Sequence, residues 1–402
     1  MEPVNLLLVG CGMMGARHVR GLGELERAAP GRVRLAGVCD LREETAHAVA
    51  DEAGELLGER PAVFTNLEEA LAQAPEIEAA DVVTDPRSHD GIAIGLLEAG
   101  VHVICEKPLS LTVARGLRMI ETAGQSGRVL ATAENNRHDP MNRLARACIA
   151  GGVLGEPNFA LQVSLNPGDR IIGTAWRHRR AMGGVLMDVG IHQGYMLEYL
   201  LGPIRSVSAL AQLVLAHRSG NEFDGTHVEV DVDAEDCFTA TLEFASGVQG
   251  HWTVNFASAG ETMNRRLVMG SEGTSDLPGD RSGQPVRVRR GQDVIEGEAL
   301  LAELPDWRLS QVETALFGER PASYSLPGVE TDRKLIAAEM HSFAQAVRTG
   351  AAPEADGPTG LRSVAVISAV MESALAGRPV SLDEVLSGEL HEWQDTVEQA
   401  IM

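Results

Sequence analysis

The sequence predicts an α/β protein: an N-terminal doubly wound parallel sheet followed by an α+β domain carrying a large, mostly antiparallel open sheet. Three observations carry this. A glycine pattern, Gly10, Gly12 and Gly15, sits between an apolar run and a helical pattern near the start of the chain. Short apolar runs then alternate with helix-period stretches as far as Ala133. Beyond residue 237, two long segments alternate strictly between apolar and polar residues.

In chain order, Val4 to Val9 reads as the first strand, and Ala16 to Leu25 has apolar residues at helical intervals. Between them Gly10-Cys11-Gly12-Met13-Met14-Gly15 suits a tight turn that admits a pyrophosphate to the backbone and to the free amides of a helix N-terminus. A second strand, Val33 to Cys39, ends in Asp40, where an acid accepts hydrogen bonds from both ribose hydroxyls and repels a 2′-phosphate. NAD is therefore favoured, and Arg42 two residues on leaves NADP open. Asp40 also fits as a cap for the next helix. Helices are expected at 41–57, 67–74, 92–99 and 113–123, and strands at 62–64, 79–84, 101–105 and 129–133. Thr84, Asp85 and His89 follow one strand end; His89 borders the cofactor or is simply a first-turn helix residue.

The run Val101-His102-Val103-Ile104-Cys105 stops abruptly at Glu106-Lys107-Pro108. Ligands of open α/β sheets gather beyond the carboxyl ends of the strands, which puts Lys107 at the mouth of a crevice. Glu134-Asn135-Asn136-Arg137 breaks the alternation at a further strand end facing the same crevice. The first domain is therefore taken as 1–136 and the second as 137–402, with helices inside 335–376 packing back toward the first.

In the second half, 144–150 reads as helix and 158–165 as strand. Phe238, Ala240, Leu242 and Phe244, then Trp252, Val254 and Phe256, mark strands with one covered face; the polar face meets solvent, another subunit or both. Trp176-Arg177 precede Gly183-Gly184, which permit an unusual turn, and a helical pattern then runs from Val185 to Leu201. Within it Asp188 and His192 are four apart and so share a helix face. A carboxylate beside an imidazole suits proton transfer, and the same spacing also describes an intrahelical pair without chemistry. Residues 258–330 are the least readable: Trp307 and a helix over 309–317 cover the active site or form an interface. Helices are expected at 335–347 and 360–376, and the acidic tail from Ser381 reads as peripheral.

Composition narrows the partners. The chain has 402 residues, 44% of them hydrophobic, which suits two cores, and its net charge of -23 disfavours nucleic acid and anionic membranes. No basic leader or long apolar span is present, so a cytoplasmic protein is expected. Five unpaired-looking cysteines argue against a disulfide framework, and two ligands four apart do not make a zinc site, so no metal is expected.

With these motifs in place, the chain resembles the glucose-fructose oxidoreductase, inositol dehydrogenase and MocA (Gfo/Idh/MocA) family. The resemblance runs through the glycine loop, Thr84 to His89, Glu106-Lys107-Pro108, Glu134-Asn135 with Arg137, Trp176-Arg177, Gly183-Gly184 with Asp188 and His192, and Asp356-Gly357. It implies a Rossmann domain plus a substrate and oligomerisation domain. The expected enzyme is an NAD(P)-dependent oxidoreductase interconverting CH–OH and C=O on a sugar, cyclitol or glycoside derivative. It implies a catalytic triad of Lys107, Asp188 and His192, a cis bond before Pro108, and a homodimer or homotetramer formed through the open sheet face. Cofactor contacts are expected from Gly10, Gly12, Met13, Met14, Gly15, Asp40, Arg42, Thr84, Asp85, His89, Glu106, Lys107, Asn135, Trp176 and Arg177. Substrate contacts are expected from Lys107, Arg137, Asp188 and His192. His192 would take the hydroxyl proton and Lys107 would hold the oxygen; Asp188 would orient His192 or the substrate, and Glu106 would steady Lys107 or touch the cofactor. Many relatives carry an aromatic residue where this chain has Asn136, and a proline where it has Asp85. Two rivals stand beside this reading: glycoside cleavage by transient sugar oxidation on retained NAD, and a non-catalytic nucleotide- or sugar-sensing regulator.

Overall fold

The computed structural model describes residues 2–168, 170–260 and 262–402. Its first lobe alternates as the apolar runs predict: β1 (Val4–Val9), α1 (Met13–Ala28), β2 (Val33–Cys39), α2 (Glu43–Leu57), β3 (Ala62–Phe64), α3 (Leu67–Gln73), β4 (Ala79–Val82), α4 (His89–Glu98), β5 (His102–Glu106), α5 (Val113–Ser126) and β6 (Leu130–Ala133). The six strands lie in the order β3-β2-β1-β4-β5-β6, all parallel. The strand order reverses between β1 and β4, so the crevice opens beyond their carboxyl ends. Because both faces are covered by helices, strands such as β4 are buried throughout and read as continuous apolar runs.

The second lobe contains α6 (Pro140–Ala150), β7 (Pro157–Pro167), α7 (Ile191–Leu201), β8 (Ile204–Gln212), β9 (His217–Asn221), β10 (His227–Asp231), β11 (Cys237–Phe244), β12 (Gln249–Ser258) and β13 (Met263–Gly270). It continues with β14 (Thr274–Leu277), β15 (Arg287–Arg290), β16 (Asp293–Ile295), α8 (Gly297–Ala302), α9 (Gln311–Phe317), α10 (Gly328–Thr349), α11 (Gly357–Ala376), β17 (Val380–Ser381), α12 (Leu382–Leu386) and α13 (Glu392–Ile401). Nine strands form one sheet, β16-β15-β14-β13-β7-β12-β11-β8-β17, antiparallel except for the central β7–β12 pair. The alternating residues fall as predicted: Phe238, Ala240, Leu242, Trp252, Val254 and Phe256 are buried, and Thr239 and Thr241 face outward. Trp252 anchors the covered face, edge-on to Phe238 with ring centroids 4.7 Å apart, and donates its indole N–H to Gln193 on α7.

Two C-terminal helices tie the lobes together. α10 buries Ile336, Met340 and Phe343 against α1. The approach is close enough that a Cβ on Gly21 of α1 would lie 2.4 Å from Ile336. α11 packs against α5 and β6 on one side and α7 and β8 on the other. It is long and apolar enough to cross a membrane by composition, yet 72% of its most apolar stretch is buried inside the protein, as in a core helix. Of the stretch 309–317, Gln311–Phe317 is helical as α9, starting from a Ser310 cap, and it packs against α1 and α10.

The tail beyond Ser381 is not peripheral. Trp393 and Val397 of α13 are buried, Gln394 accepts the Val113 N–H of α5, and Glu398 takes hydrogen bonds from Thr112 and Arg115. Its acidic residues meet first-lobe partners about 280 positions earlier in the chain, which a local charge pattern does not reveal.

Candidate active site

The glycine loop has the geometry its sequence demands. Gly10 takes φ +99°, and a Cβ there would lie 2.8 Å from the Val83 carbonyl oxygen. A Cβ on Gly15 would fall 2.2 Å from the Gly10 carbonyl oxygen, so α1 approaches β1 as only glycine permits. Beside Gly12, nothing lies within 4 Å of where a Cβ would project, and α1 starts there without a side-chain cap. Open space thus meets uncapped amides, an arrangement suited to a diphosphate.

The loop borders a cavity of about 740 Å³, within the range of cofactor sites. Gly10, Gly12, Met13, Met14, Asp40, Arg42, Thr84 and Asp85 line it from the first lobe, and Thr174, Trp176 and Arg177 close it from the second. Asp40 receives the Cys11 N–H on Oδ2 and the Arg42 N–H on Oδ1, which fixes its carboxylate at the cavity edge. These residues fit a dinucleotide with its ribose at Asp40. Gly15 stands behind the lining, inside α1. His89 is buried outside it, its Nδ1 2.8 Å from the Pro108 carbonyl oxygen and Nε2 3.2 Å from that of Thr84. Burial lowers its pKa against the opposing pull of the two carbonyl oxygens, and the ring packs between two strand ends.

Lys107 follows β5 and precedes a cis bond to Pro108. Its ammonium crosses to the second lobe and donates to the Asp188 carbonyl oxygen (2.8 Å) and to Asp188 Oδ1 (2.9 Å). Arg177 Nε donates to Asp188 Oδ2 at 2.6 Å, with its guanidinium stacked 4.4 Å from the Trp176 ring. Burial disfavours the Asp188 charge, but Lys107 and Arg177 together hold its pKa well below the ordinary carboxylate range. Gly183 and Gly184, at φ +85° and +75°, make the predicted turn into this segment. A π turn over Leu186–Gly190 then precedes α7, a distortion that favours functional sites.

The π turn explains the main departure from expectation. Asp188 spends both oxygens on Lys107 and Arg177 and does not make the hydrogen bond to His192 that an i, i+4 helical spacing predicts. The carboxylate on His192 is Glu134, just beyond β6, whose oxygens lie 2.8 and 2.9 Å from His192 Nδ1. Two reciprocal pairs therefore span the lobes: a first-lobe lysine on a second-lobe acid, and a second-lobe histidine on a first-lobe acid.

Beneath them lies a layer in which His18 and Asp81, absent from the sequence reading, join Glu106. His18 of α1 is buried between Asp81 (2.8 Å to Nδ1) and Glu106 (3.2 Å to Nε2). Burial works against its imidazolium, yet the two carboxylates raise its pKa well above the ordinary value. Glu106 steadies Lys107 through the backbone, accepting the Lys107 N–H at 2.8 Å. Burial opposes the Glu106 charge, but the hydrogen bond and field of His18 hold its pKa at about 2. This depressed carboxylate contributes stability above its unfolded pKa of about 4.5, lost as pH falls toward 2 and worth about 3 kcal/mol in all. Urea unfolding at several pH values should show a shallower acid decline in Glu106→Gln than in the parent; identical slopes would contradict the assignment.

Arg137 is taken up by the protein. Its guanidinium donates to Glu354 (3.1 Å) and to the Tyr195 hydroxyl (2.8 Å) and lies over the Tyr199 ring, so we assign it no substrate contact. Asn135 stands beside Glu134 and is held by Arg281.

With this geometry established, comparison with known proteins is informative. Residues 4–134 match the Gfo/Idh/MocA model described as an oxidoreductase family with an NAD-binding Rossmann fold. Residues 146–382 match that family's C-terminal alpha/beta domain. The chain is 25% identical over 380 residues to a myo-inositol 2-dehydrogenase of Thermotoga maritima, covering 94% of this chain and 98% of that one. It is 24% identical to a D-apiose dehydrogenase of Paraburkholderia graminis, covering 93% and 88%. A crystal structure of an NAD binding oxidoreductase from Klebsiella pneumoniae superposes with TM-score 0.75 at 26% identity, covering 94% of this chain and 99% of that one. A levoglucosan dehydrogenase in complex with NADH shares the fold at TM-score 0.77 and 24% identity, over 95% and 99% of the two chains. In both lobes, then, the chain belongs to the Gfo/Idh/MocA family of NAD-binding oxidoreductases.

Proposed function

We propose that the protein oxidises a secondary alcohol of a sugar, cyclitol or related polyol, or reduces the matching ketone, with Lys107 and His192 handling the oxygen and its proton. The observation that supports this most is the pair of cross-lobe contacts, Lys107–Asp188 and His192–Glu134, which brings a cation and a base to the ends of adjacent strands β5 and β6. Relatives named for myo-inositol and D-apiose, both polyhydroxylated, support the substrate class.

Bound NAD supplies a hydride acceptor at its nicotinamide. His192 Nδ1–H donates to Glu134, which leaves Nε2 as the base for the substrate hydroxyl proton. Glu134 also stabilises the imidazolium that forms. Lys107 places its ammonium against the same oxygen and stabilises the negative charge that develops there. Asp188 positions Lys107, and Arg177 with Trp176, which line the cavity from the second lobe, would wall the nicotinamide. Asn135, just past the end of β6, would meet the nicotinamide. Assembly into a homodimer or homotetramer through the outer face of the nine-stranded sheet suits Leu210, 71% exposed on β8.

The test is a panel of cyclitols, aldoses and keto-sugars with NAD and NADP, read by nicotinamide absorbance. Turnover of at least one polyol with NAD, and weaker turnover with NADP, is expected. Glycoside cleavage without net absorbance change would favour transient oxidation on retained cofactor. Absence of redox turnover and of cleavage across the panel would sink the proposal.

A further inference from the structure

Residues 278–284 belong to the stretch that resisted sequence reading, and they carry an unusual residue. Arg281 has φ +63°, the one positive φ outside glycine among the described residues. Such a conformation is disfavoured for a side-chain-bearing residue and persists where the surroundings over-determine it. Here they do. The Arg281 backbone N–H donates to Asp139 Oδ2 (2.8 Å), and its guanidinium donates to Asp332 Oδ1 (3.0 Å), Asn136 Oδ1 (3.1 Å) and Asn135 Oδ1 (2.8 Å). Asp332 belongs to α10, and both asparagines follow β6.

Arginine has only donors, so the amide atom facing it must be oxygen. The planar amide then directs the Asn135 Nδ2–H₂ away from Arg281. Asn135 is 8% exposed, and among the described residues its Nδ2 donates to no protein acceptor. That N–H₂ keeps enough exposure to be reached from outside, so it is a donor available to a ligand. The amide also lies beside the groups assigned to the reaction: Glu106 is paired with Ala133 across the sheet, so Lys107 and Asn135 lie just past neighbouring strand ends, and Glu134, next to Asn135, holds His192.

We infer that Arg281 is a positioning residue for the nicotinamide end of the cofactor: by binding the Asn135 side-chain oxygen it presents the Asn135 amide N–H to the nicotinamide carboxamide oxygen. This rests on the proposed placement of the nicotinamide. It links the far end of the second sheet to cofactor orientation, and it gives Asn136 a task as the second amide acceptor on the same guanidinium.

Arg281→Gly is the sharpest variant, because glycine adopts φ +63° freely and only the side chain is lost. Titrations with NADH and with ADP-ribose, which lacks the nicotinamide, separate positioning from general damage. The Kd for NADH should rise roughly tenfold, the worth of one well-made hydrogen bond, with ADP-ribose affinity unchanged. Asn135→Asp, which still accepts from Arg281 but has no amide donor, should show the same selective loss. Arg281→Lys, which keeps the charge beside Asp332 but lacks the fork, serves if the glycine variant folds poorly, with the same expectation. Equal weakening of both ligands, or weakening of neither, overturns the inference. A parental protein that binds neither ligand overturns the dinucleotide reading and this inference with it.

Discussion

Replacing His192 by alanine should lower kcat by roughly a hundred- to ten-thousandfold, the range for loss of a positioned general base, with NADH affinity intact. Glu134 lies 2.8 Å from His192 Nδ1 and is almost wholly buried, so it selects the Nδ1–H tautomer, and among the described residues Nε2 has no hydrogen-bond partner. Such a carboxylate acts by orienting the ring and stabilising its charged form, the role of the buried acid in hydrolase triads. Glu134→Gln should therefore lower kcat as well, by roughly tenfold or more, because the neutral amide supports the imidazolium less and can present either its oxygen or its nitrogen to the ring. Added imidazole should restore part of the activity of His192→Ala and none of that of Glu134→Gln. A His192→Ala enzyme within about threefold of the parental kcat would remove the histidine from the reaction.

How much of this was legible in the sequence depends on whether a feature is local. The first lobe is readable because its strands are buried on both faces and appear as short apolar runs punctuated by helix-period stretches. The second sheet is readable at β11 and β12, where one face is covered and the alternation is clean. Lys107 stands out because an acid, a base and a proline end an apolar strand. By contrast, the Glu134–His192 contact joins residues 58 apart, and the spacing rule that pairs Asp188 with His192 assumes an α-helix where the chain makes a π turn. His18 is one helical turn past the glycine loop; a histidine on the strand-facing side of that helix was the available signal, and only the fold brings Asp81 and Glu106 to it. Arg281 gave no signal, since a left-handed conformation is readable for glycine and not for arginine.

The reciprocal pairs also say why this site needs both lobes. Each lobe alone would lose a partner for a buried charge: Glu134 would be left without His192, and Asp188 would keep Arg177 but lose Lys107. Breaking a buried pair by removing one partner is far more damaging than replacing both, so each pair favours the closed arrangement that also walls the cofactor cavity with Trp176 and Arg177.

Lys107→Ala should lower kcat by roughly a hundred- to a thousandfold, as expected for loss of one donor to a developing oxyanion. The ammonium has three N–H bonds, and Asp188 accepts two of them through its carbonyl and Oδ1, so one remains for the substrate oxygen. Anchoring two of the three fixes the direction of the last, which makes the donor preorganised without further ordering during the reaction. Lys107→Arg should not rescue, because a planar fork that satisfies Asp188 bidentately cannot place its remaining N–H groups at the same point. Asp188→Asn offers the complementary reading. It keeps the carbonyl contact to Lys107 but weakens the hold on both Lys107 and Arg177, so kcat should fall by less than in Lys107→Ala while KM for the polyol rises. The ordering of the two variants discriminates: if Asp188→Asn is as slow as Lys107→Ala with unchanged KM, then the aspartate, and not the lysine, is the group that meets the substrate oxygen.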